Sequence, residues 1–368
     1  MSHTALIDET IQAIRPLDLP AMEKCQIRLD NLTKPLGSLH AFEHLARKLA
    51  GITGNPRPRG LKKSLILMAA DHGIACEGIS AYSQEVTAQM AQQVASGISA
   101  INIFAAHIDA ALVLIDIGVA KTLPEDLHIR NEKIAWGTEN IASGPAMTRA
   151  QAIQAIECGI LAARRQIEAG SQIIGLGELG IGNTSASTAI VCSYSALPAA
   201  KLTGRGSGIS DEVLTKKIKL IEQALTVNQP NNQDPLDVLA KIGGLEIAGL
   251  TGVILGAAAG RAAVVLDSLV TSVAALIAFK LAPGSKDYLI GSHYSTEPAH
   301  LAALELMEIP AYLHLDMNLG QGTGACLGMS LIKASLHVLN DMKTFGEAEV
   351  AVAQDGPGVL RQDKSVRD

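Results

Sequence analysis

Aromatic residues are nearly missing from this chain: one Trp, five Tyr and four Phe make up 3% of 368 residues. The core must therefore be assembled from Ala, Val, Leu and Ile, with 34 glycines letting backbones come close. The same shortage argues against an aromatic platform for single-stranded nucleic acid. Charge is scarce too, at 18% with mixed sign and a net of −6, so there is no basic field to hold a polyanion and nucleic acid is not an expected partner. Cys25, Cys76, Cys158, Cys192 and Cys326 are scattered, odd in number and free of any C-x-x-C pair, which excludes a disulfide scaffold or zinc framework and fits a reducing cytoplasm. No long apolar run is present: the greasiest uncharged stretch, 247–260, ends at Arg261, and roughly 20 apolar residues are needed to cross a bilayer. Residues 1–19 carry Asp8, Glu9 and Arg15 where an export signal would need an unbroken apolar stretch. A cytoplasmic protein without membrane contact is expected.

What is there reads as α/β. Helical patterns over 5–51 are interrupted by Pro16, Pro20 and the turn Lys34-Pro35-Leu36-Gly37, and 55–58 reads as a linker. Apolar runs of strand length follow at 64–70, 111–117, 172–176, 262–266, 288–290 and 312–315, several ending at Gly or polar residues. Helical stretches at 87–94, 150–169, 215–225 and 298–308 lie between them, and this alternation predicts a mainly parallel sheet with ligands at the carboxyl ends of its strands. From 355 the chain reads as a loose tail.

The densest group of chemistry-bearing residues is 175–187, Gly-Leu-Gly-Glu-Leu-Gly-Ile-Gly-Asn-Thr-Ser-Ala-Ser. It contains G-x-G-x-x-G at Gly175, Gly177 and Gly180, but no acidic residue lies between Glu178 and Asp211 to hold a dinucleotide ribose. What the segment offers is backbone N–H groups, extra donors at Asn183, Thr184 and Ser185, and a helix N-terminus, which suit a mononucleotide phosphate; a plain tight turn with a helix cap is the competing reading. Glycine-rich turns at 204–208 and 320–324 extend the pattern toward one small-molecule cleft. Asp71, His72, His293, His300, His314 and Asp316 lack the spacing of a zinc helix, and no metal or cofactor is expected.

Taken in order, Leu32-Thr-Lys-Pro-Leu-Gly-Ser-Leu39, Ala70-Asp-His-Gly73, Gln84-Glu-Val-Thr-Ala88, Gly177 to Thr184, Gly291-Ser-His293 with Ser295 and Glu297, and Leu319-Gly-Gln-Gly-Thr-Gly-Ala325 resemble the nicotinate-nucleotide:dimethylbenzimidazole phosphoribosyltransferase family. The resemblance implies a large Rossmann-like three-layer domain at 62–310, a small helical domain built from both chain ends (1–61 with 325–354), the tail 355–368, and a dimer with its active sites near the interface. It implies transfer of phosphoribose from nicotinate mononucleotide to a ring nitrogen of an aromatic base, with release of nicotinate, for cobamide biosynthesis. Gly180, Asn183, Thr184, Gly206, Lys217 and Ser295 fall where the family binds the nucleotide. Tyr82, Met90, Leu179 and Leu319 fall on the wall of the flat base pocket, and Glu178 on a carboxylate near that base.

Three positions depart from the family pattern: Gln321 stands where the resemblance implies the catalytic Glu, Asn318 where it implies Arg, and Ser83 where it implies Pro. A Gln has the shape of Glu but takes no proton at working pH. Loss of two charges within one turn favours a diverged subunit, working in a heterodimer with a homologous chain that carries the Glu, as in two-subunit relatives acting on phenols. The alternatives are an active transferase, homodimeric, in which Glu178 or a water removes the proton, and a non-catalytic binder of nucleotide or base.

Overall fold

The structure is a computed structural model that describes residues 4–195 and 197–367. Three helices, α1 (Ala5–Ala13), α2 (Leu19–Asn31) and α3 (Ala41–Thr53), precede β1 (Lys63–Ala70). Next come α4 (Glu85–Ala95), α5 (Ala100–His107), β2 (Ala110–Gly118), β3 (Ile129–Asn131), α6 (Arg149–Glu168) and β4 (Ile173–Leu179). After β4 the chain is helical through α7 (Asn183–Tyr194), α8 (Ala199–Leu202), α9 (Asp211–Asn228), α10 (Pro235–Ile242) and α11 (Leu245–Ala259). It returns through β5 (Ala263–Val265), α12 (Leu269–Leu281), β6 (Leu289–Ile290), β7 (His293–Tyr294), α13 (Pro298–Met307) and β8 (Leu313–His314), then ends in α14 (Thr323–Asp341) and α15 (Phe345–Ala348).

The six strands β3-β2-β1-β4-β5-β6 form one sheet in that order, and every pairing in it is parallel. This is the doubly wound order, with its switch point between β1 and β4, where such sheets open a crevice at the carboxyl ends of the strands. Strand alternation builds the three layers. Ile66, Met68 and Ala70 pack with the layer that holds Ile156, Ile190 and Val253, while Leu65, Leu67 and Ala69 face Leu49, Ala88 and Met329 on the other side. The α/β expectation holds, and most expected strands and helices appear within a few residues.

Two elements differ in a way that matters for the site. β4 runs to Leu179, so Gly175, Gly177 and Glu178 lie inside the strand and only Gly180 to Gly182 make the turn. The 312–315 run becomes β8 in a separate two-stranded parallel sheet with β7; the short strands β3 and β7 had no apolar run to announce them. The tail is held rather than loose over part of its length: Gln362 is buried and donates to the Lys34 carbonyl at 3.3 Å, Asp363 N–H donates to Asn31 Oδ1 at 2.6 Å, and Asp368 lies outside the described residues. A separate small cluster of Cys25, Leu29, Leu32, Ala46, Ala50 and Leu339 joins α2, α3 and the end of α14.

Scarcity of aromatics is answered by backbone contact. α11 is buried from Leu245 to Ala258, as expected of a helix apolar all round, and it crosses α6 so closely that a Cβ on Gly252 would lie 1.9 Å from the Ile156 carbonyl oxygen. Gly252→Ala gains about 1 kcal/mol in helix propensity, but the clash is with backbone that cannot swing away, so a net loss of about 3 kcal/mol is expected. Urea unfolding checks this through a lowered midpoint; an unchanged or raised midpoint would contradict the close crossing.

Candidate active site

The crevice at the switch point begins where β1 ends, at Asp71-His72. His72 Nε2 lies 2.6 Å from Glu246 Oε1 at the start of α11, both buried. Burial opposes a charge on the imidazole, but Glu246, with Asp71 and Glu178 behind it, outweighs burial and holds His72 above its ordinary range. A Cβ on Gly244 would fall 2.4 Å from His72 Cε1, so glycine is required for this approach. Asp71 accepts from Ala120 N–H at 2.8 Å and from the Thr87 hydroxyl, while Thr87 Oγ1 accepts from Ile181 N–H at 3.1 Å. The 84–88 segment thus ties the end of β1 to the turn after β4.

That turn opens α7. Gly182, at φ +96°, occupies the cap position in left-handed geometry, and no side chain caps the helix. Asn183 and Ser185 N–H donate to the Gly180 and Gly182 carbonyls at 3.3 and 3.0 Å, which of the first three N–H groups leaves that of Thr184 for a ligand. Over this first turn sits a cavity of about 70 Å³ lined by Gly180, Asn183, Thr184, Ser185, Ser207 and Lys217, among others. Lys217 comes from α9 and is 2% exposed; its Nζ donates to Thr184 Oγ1 at 2.9 Å and to the Gly204 carbonyl at 3.1 Å. Burial holds this ammonium below its ordinary range, with Glu297 acting against the shift. Gly206 lies beside it: a Cβ there would be 3.1 Å from Thr184 Oγ1 and 3.3 Å from Lys217 Nζ. Ser295 is linked only at one remove, its Oγ accepting from Glu297 N–H at 3.4 Å while Glu297 Oε1 accepts from Gly206 N–H at 2.7 Å. The 204–208 turn follows α8 rather than a strand, contrary to the sequence pattern, because its place is set by Lys217 and Glu297.

On the other side of β4 stands the 319–324 turn. Gln321 adopts φ +63° and Gly322 φ +87°, and the turn lies against β4 because Gly177 has no side chain: a Cβ there would sit 2.8 Å from the Gln321 carbonyl. Asp267, just beyond β5 and 0% exposed, holds the turn by accepting from Gly322, Gly324 and Ala325 N–H at 2.9, 2.7 and 3.3 Å. Burial pushes its carboxyl up to about 7 despite these donors.

Glu178 is the carboxylate between the two turns. It is 8% exposed, accepts from Asn183 Nδ2 at 2.5 Å and from the Gln321 backbone N–H, and a Cβ on Gly320 would lie 2.2 Å from its Oε1. Burial, then the charges of Asp267 and Glu246, push it up to about 7. The expected base-pocket residues are less uniform. Leu179 and Met90 share one apolar cluster, whereas Tyr82 and Leu319 stand 57% and 43% exposed.

The histidines disperse: His72 pairs with Glu246, His300 lies near the His293 carbonyl, and His314 stacks on Tyr294 with ring centroids 4.5 Å apart. Among the described residues no group of three or more His, Cys, Asp or Glu could hold a metal ion, and no helix is long and apolar enough to cross a membrane. Sequence reasoning missed Asp267 and Glu246. Asp267 directly follows the 262–266 apolar run, the one signal that could have found it; Glu246 is a lone charge at the head of an apolar helix.

The family model described as phosphoribosyltransferase matches residues 14–350. The chain is 49% identical over 347 residues to the nicotinate-nucleotide–dimethylbenzimidazole phosphoribosyltransferase of Roseiflexus sp. (strain RS-1), covering 94% of this chain and 98% of that protein. It is 48% identical to the protein of the same name from Chloroflexus aggregans, with the same coverage. The crystal structure of CobT from Thermus thermophilus superposes with a TM-score of 0.86 at 38% identity, covering 90% of this chain and 99% of that one. By a matching model that spans most of its length and by relatives so similar over nearly their whole extent, this chain belongs to the nicotinate-nucleotide–dimethylbenzimidazole phosphoribosyltransferase family.

Proposed function

We propose that this chain transfers phosphoribose from nicotinate mononucleotide to a benzimidazole-type base, with Glu178 as the proton acceptor. The observation that carries the reading is the phosphate-sized cavity at the start of α7, floored by the buried Lys217 and separated from Glu178 only by the Gly180 to Gly182 turn. The nucleotide phosphate lies on the Thr184 N–H at the start of α7 and on Lys217. The unprotonated ring nitrogen of the acceptor attacks ribose C1, the bond from C1 to the pyridinium nitrogen breaks, and nicotinate leaves with the bonding pair. As the new bond to C1 forms, the acceptor's second ring nitrogen gives its proton to the Glu178 carboxylate, and this feeds electron density to the attacking nitrogen. Much of the catalysis is orientation, because the pyridinium is already a good leaving group, and the proton step needs a base whose pKa is close to working pH, which burial gives Glu178.

Gln321 contributes shape and an amide. Its neighbours support Glu178 as the acting group without a partner chain, since its own N–H points to that carboxylate. Leu179 and Met90 form the inner wall of the base slot, and Tyr82 and Leu319 the outer wall, which in one chain stands open. We place a second copy of the chain over that wall and the protein in a reducing cytoplasm, in keeping with its five free thiols.

Calorimetric titration with nicotinate mononucleotide tests the cavity. Saturable binding is expected, with Lys217→Ala weakening it by about 1.5–3 kcal/mol, as removal of a charged phosphate donor does. No heat at millimolar nucleotide, or unchanged affinity in the variant, would sink the reading.

A further inference from the structure

At the opposite edge of the sheet, where β1 and β4 begin, lies a cavity of about 550 Å³ that the transferase reaction does not use. β1 alone, at about 3.3 Å per residue, separates it from the crevice by most of the sheet's depth. Its floor is apolar: Leu61, Ile173, Met329, Ile332 and Leu336 line it and all are buried. The last three recur at helical spacing on one face of α14. Its rim is cationic, from Arg59, Lys62, Lys63 and Lys333, against Asp109 and Asp341.

Most of these rim groups are already engaged. Arg59 Nε donates to Asn340 Oδ1 at 2.9 Å, Lys62 Nζ to the Ala169 carbonyl at 2.7 Å, and Asp341 Oδ2 lies 2.5 Å from His337 Nδ1. Lys63 and Lys333 have no hydrogen-bond or ion-pair partner among the described residues. Burial and the like charge of Lys333 hold the Lys63 ammonium below its ordinary range, with Asp109 acting the other way. Two unpaired cations above an apolar floor, in a space of the size that takes ring-bearing small molecules, are complementary to a ligand with an acidic group at one end and a flat body at the other.

We propose that this cavity is a second ligand site, which binds a small organic anion with a flat apolar body, its ring on Ile332 and Leu336 and its acidic group between Lys63 and Lys333. The acid can be the phosphate of a mononucleotide or the carboxylate of an aryl acid.

The test is a fluorescence titration of the full-length chain with 8-anilinonaphthalene-1-sulfonate, without nicotinate mononucleotide, which as a ring-bearing anion would compete for the same cavity; the Lys63 and Lys333 variants locate the probe. One saturable site per chain is expected. Adenosine 5′-monophosphate or 1-naphthoate should displace the probe, the stronger of the two identifying the acidic group, whereas inorganic phosphate at equal concentration should not. Lys333→Glu, on the exposed side of α14, and separately Lys63→Gln should each weaken probe binding about tenfold, with retained nicotinate release showing that each variant is folded. No saturable site, unchanged affinity in both variants, displacement by neither organic anion, or equal displacement by inorganic phosphate would overturn the proposal.

Discussion

Glu178→Gln is expected to lower the rate of base-dependent nicotinate release by about 10²–10⁴-fold, the usual contribution of a general base, while nicotinate mononucleotide still binds. The variant keeps the side-chain length and can still accept from Asn183, so binding separates lost chemistry from a lost site. Stability gives a further control. The folded-state pKa of Glu178 is raised from 4.5 to about 7, so the folded state prefers the protonated form. Its contribution to stability is full below about pH 4.5 and is lost as pH rises through about 7. At pH 8 a neutral Gln should therefore leave the protein at least as resistant to urea as the parent. A variant that turns over normally would remove Glu178 from the proton step; one that fails to bind nucleotide would give it a structural role only.

Asp267→Ala is expected to destabilise the protein by about 3–5 kcal/mol, in the range found when a buried polar network loses a charged member. Three backbone N–H groups at the head of α14 lose their acceptor together, and no solvent reaches them. Because those donors belong to Gly322, Gly324 and Ala325, the turn that carries Gln321 loosens as well, and turnover should fall with stability. Asp267→Asn should lose less, since an amide oxygen can keep one end of the network while its NH2 meets donors at the other. Urea unfolding beside a rate assay reads both effects. An unchanged midpoint in Asp267→Ala would mean that the turn is held by other contacts.

The parts of the fold that were legible in the sequence are those where local pattern and final environment agree. A strand buried on both faces, such as β1, reads as an apolar run, and α6 carries its own start signal in the Thr148 and Gln151 capping box. β4 was cut short because Gly175 and Gly177 look like turn residues. They are strand residues whose missing side chains admit Met329 and the Gln321 turn, a requirement set by elements distant in sequence. The cavity at the start of α7 was legible in part, because glycine, Asn and Thr at a helix start act locally; Gly180, Asn183 and Thr184 line it together with Lys217, to which only the resemblance points. Asp267 and Glu246 were not legible, since each acts on a partner far along the chain, and a single acidic residue in an apolar context has no spacing to read. Tyr82 and Leu319 could be assigned only by resemblance, and their exposure in one chain explains why no local pattern marks them.

The central claim is that this chain performs the transfer with its own Glu178 although Gln321 cannot take a proton. The pH dependence of nicotinate release by the purified chain, with nicotinate mononucleotide and dimethylbenzimidazole both saturating, tests it most directly. The carboxylate is the acting form, so the rate should be low near pH 5, rise through about pH 7 and level off above it. No release by the chain alone at any pH, with activity appearing only on addition of a homologous chain that carries Glu at the position of Gln321, would contradict the account.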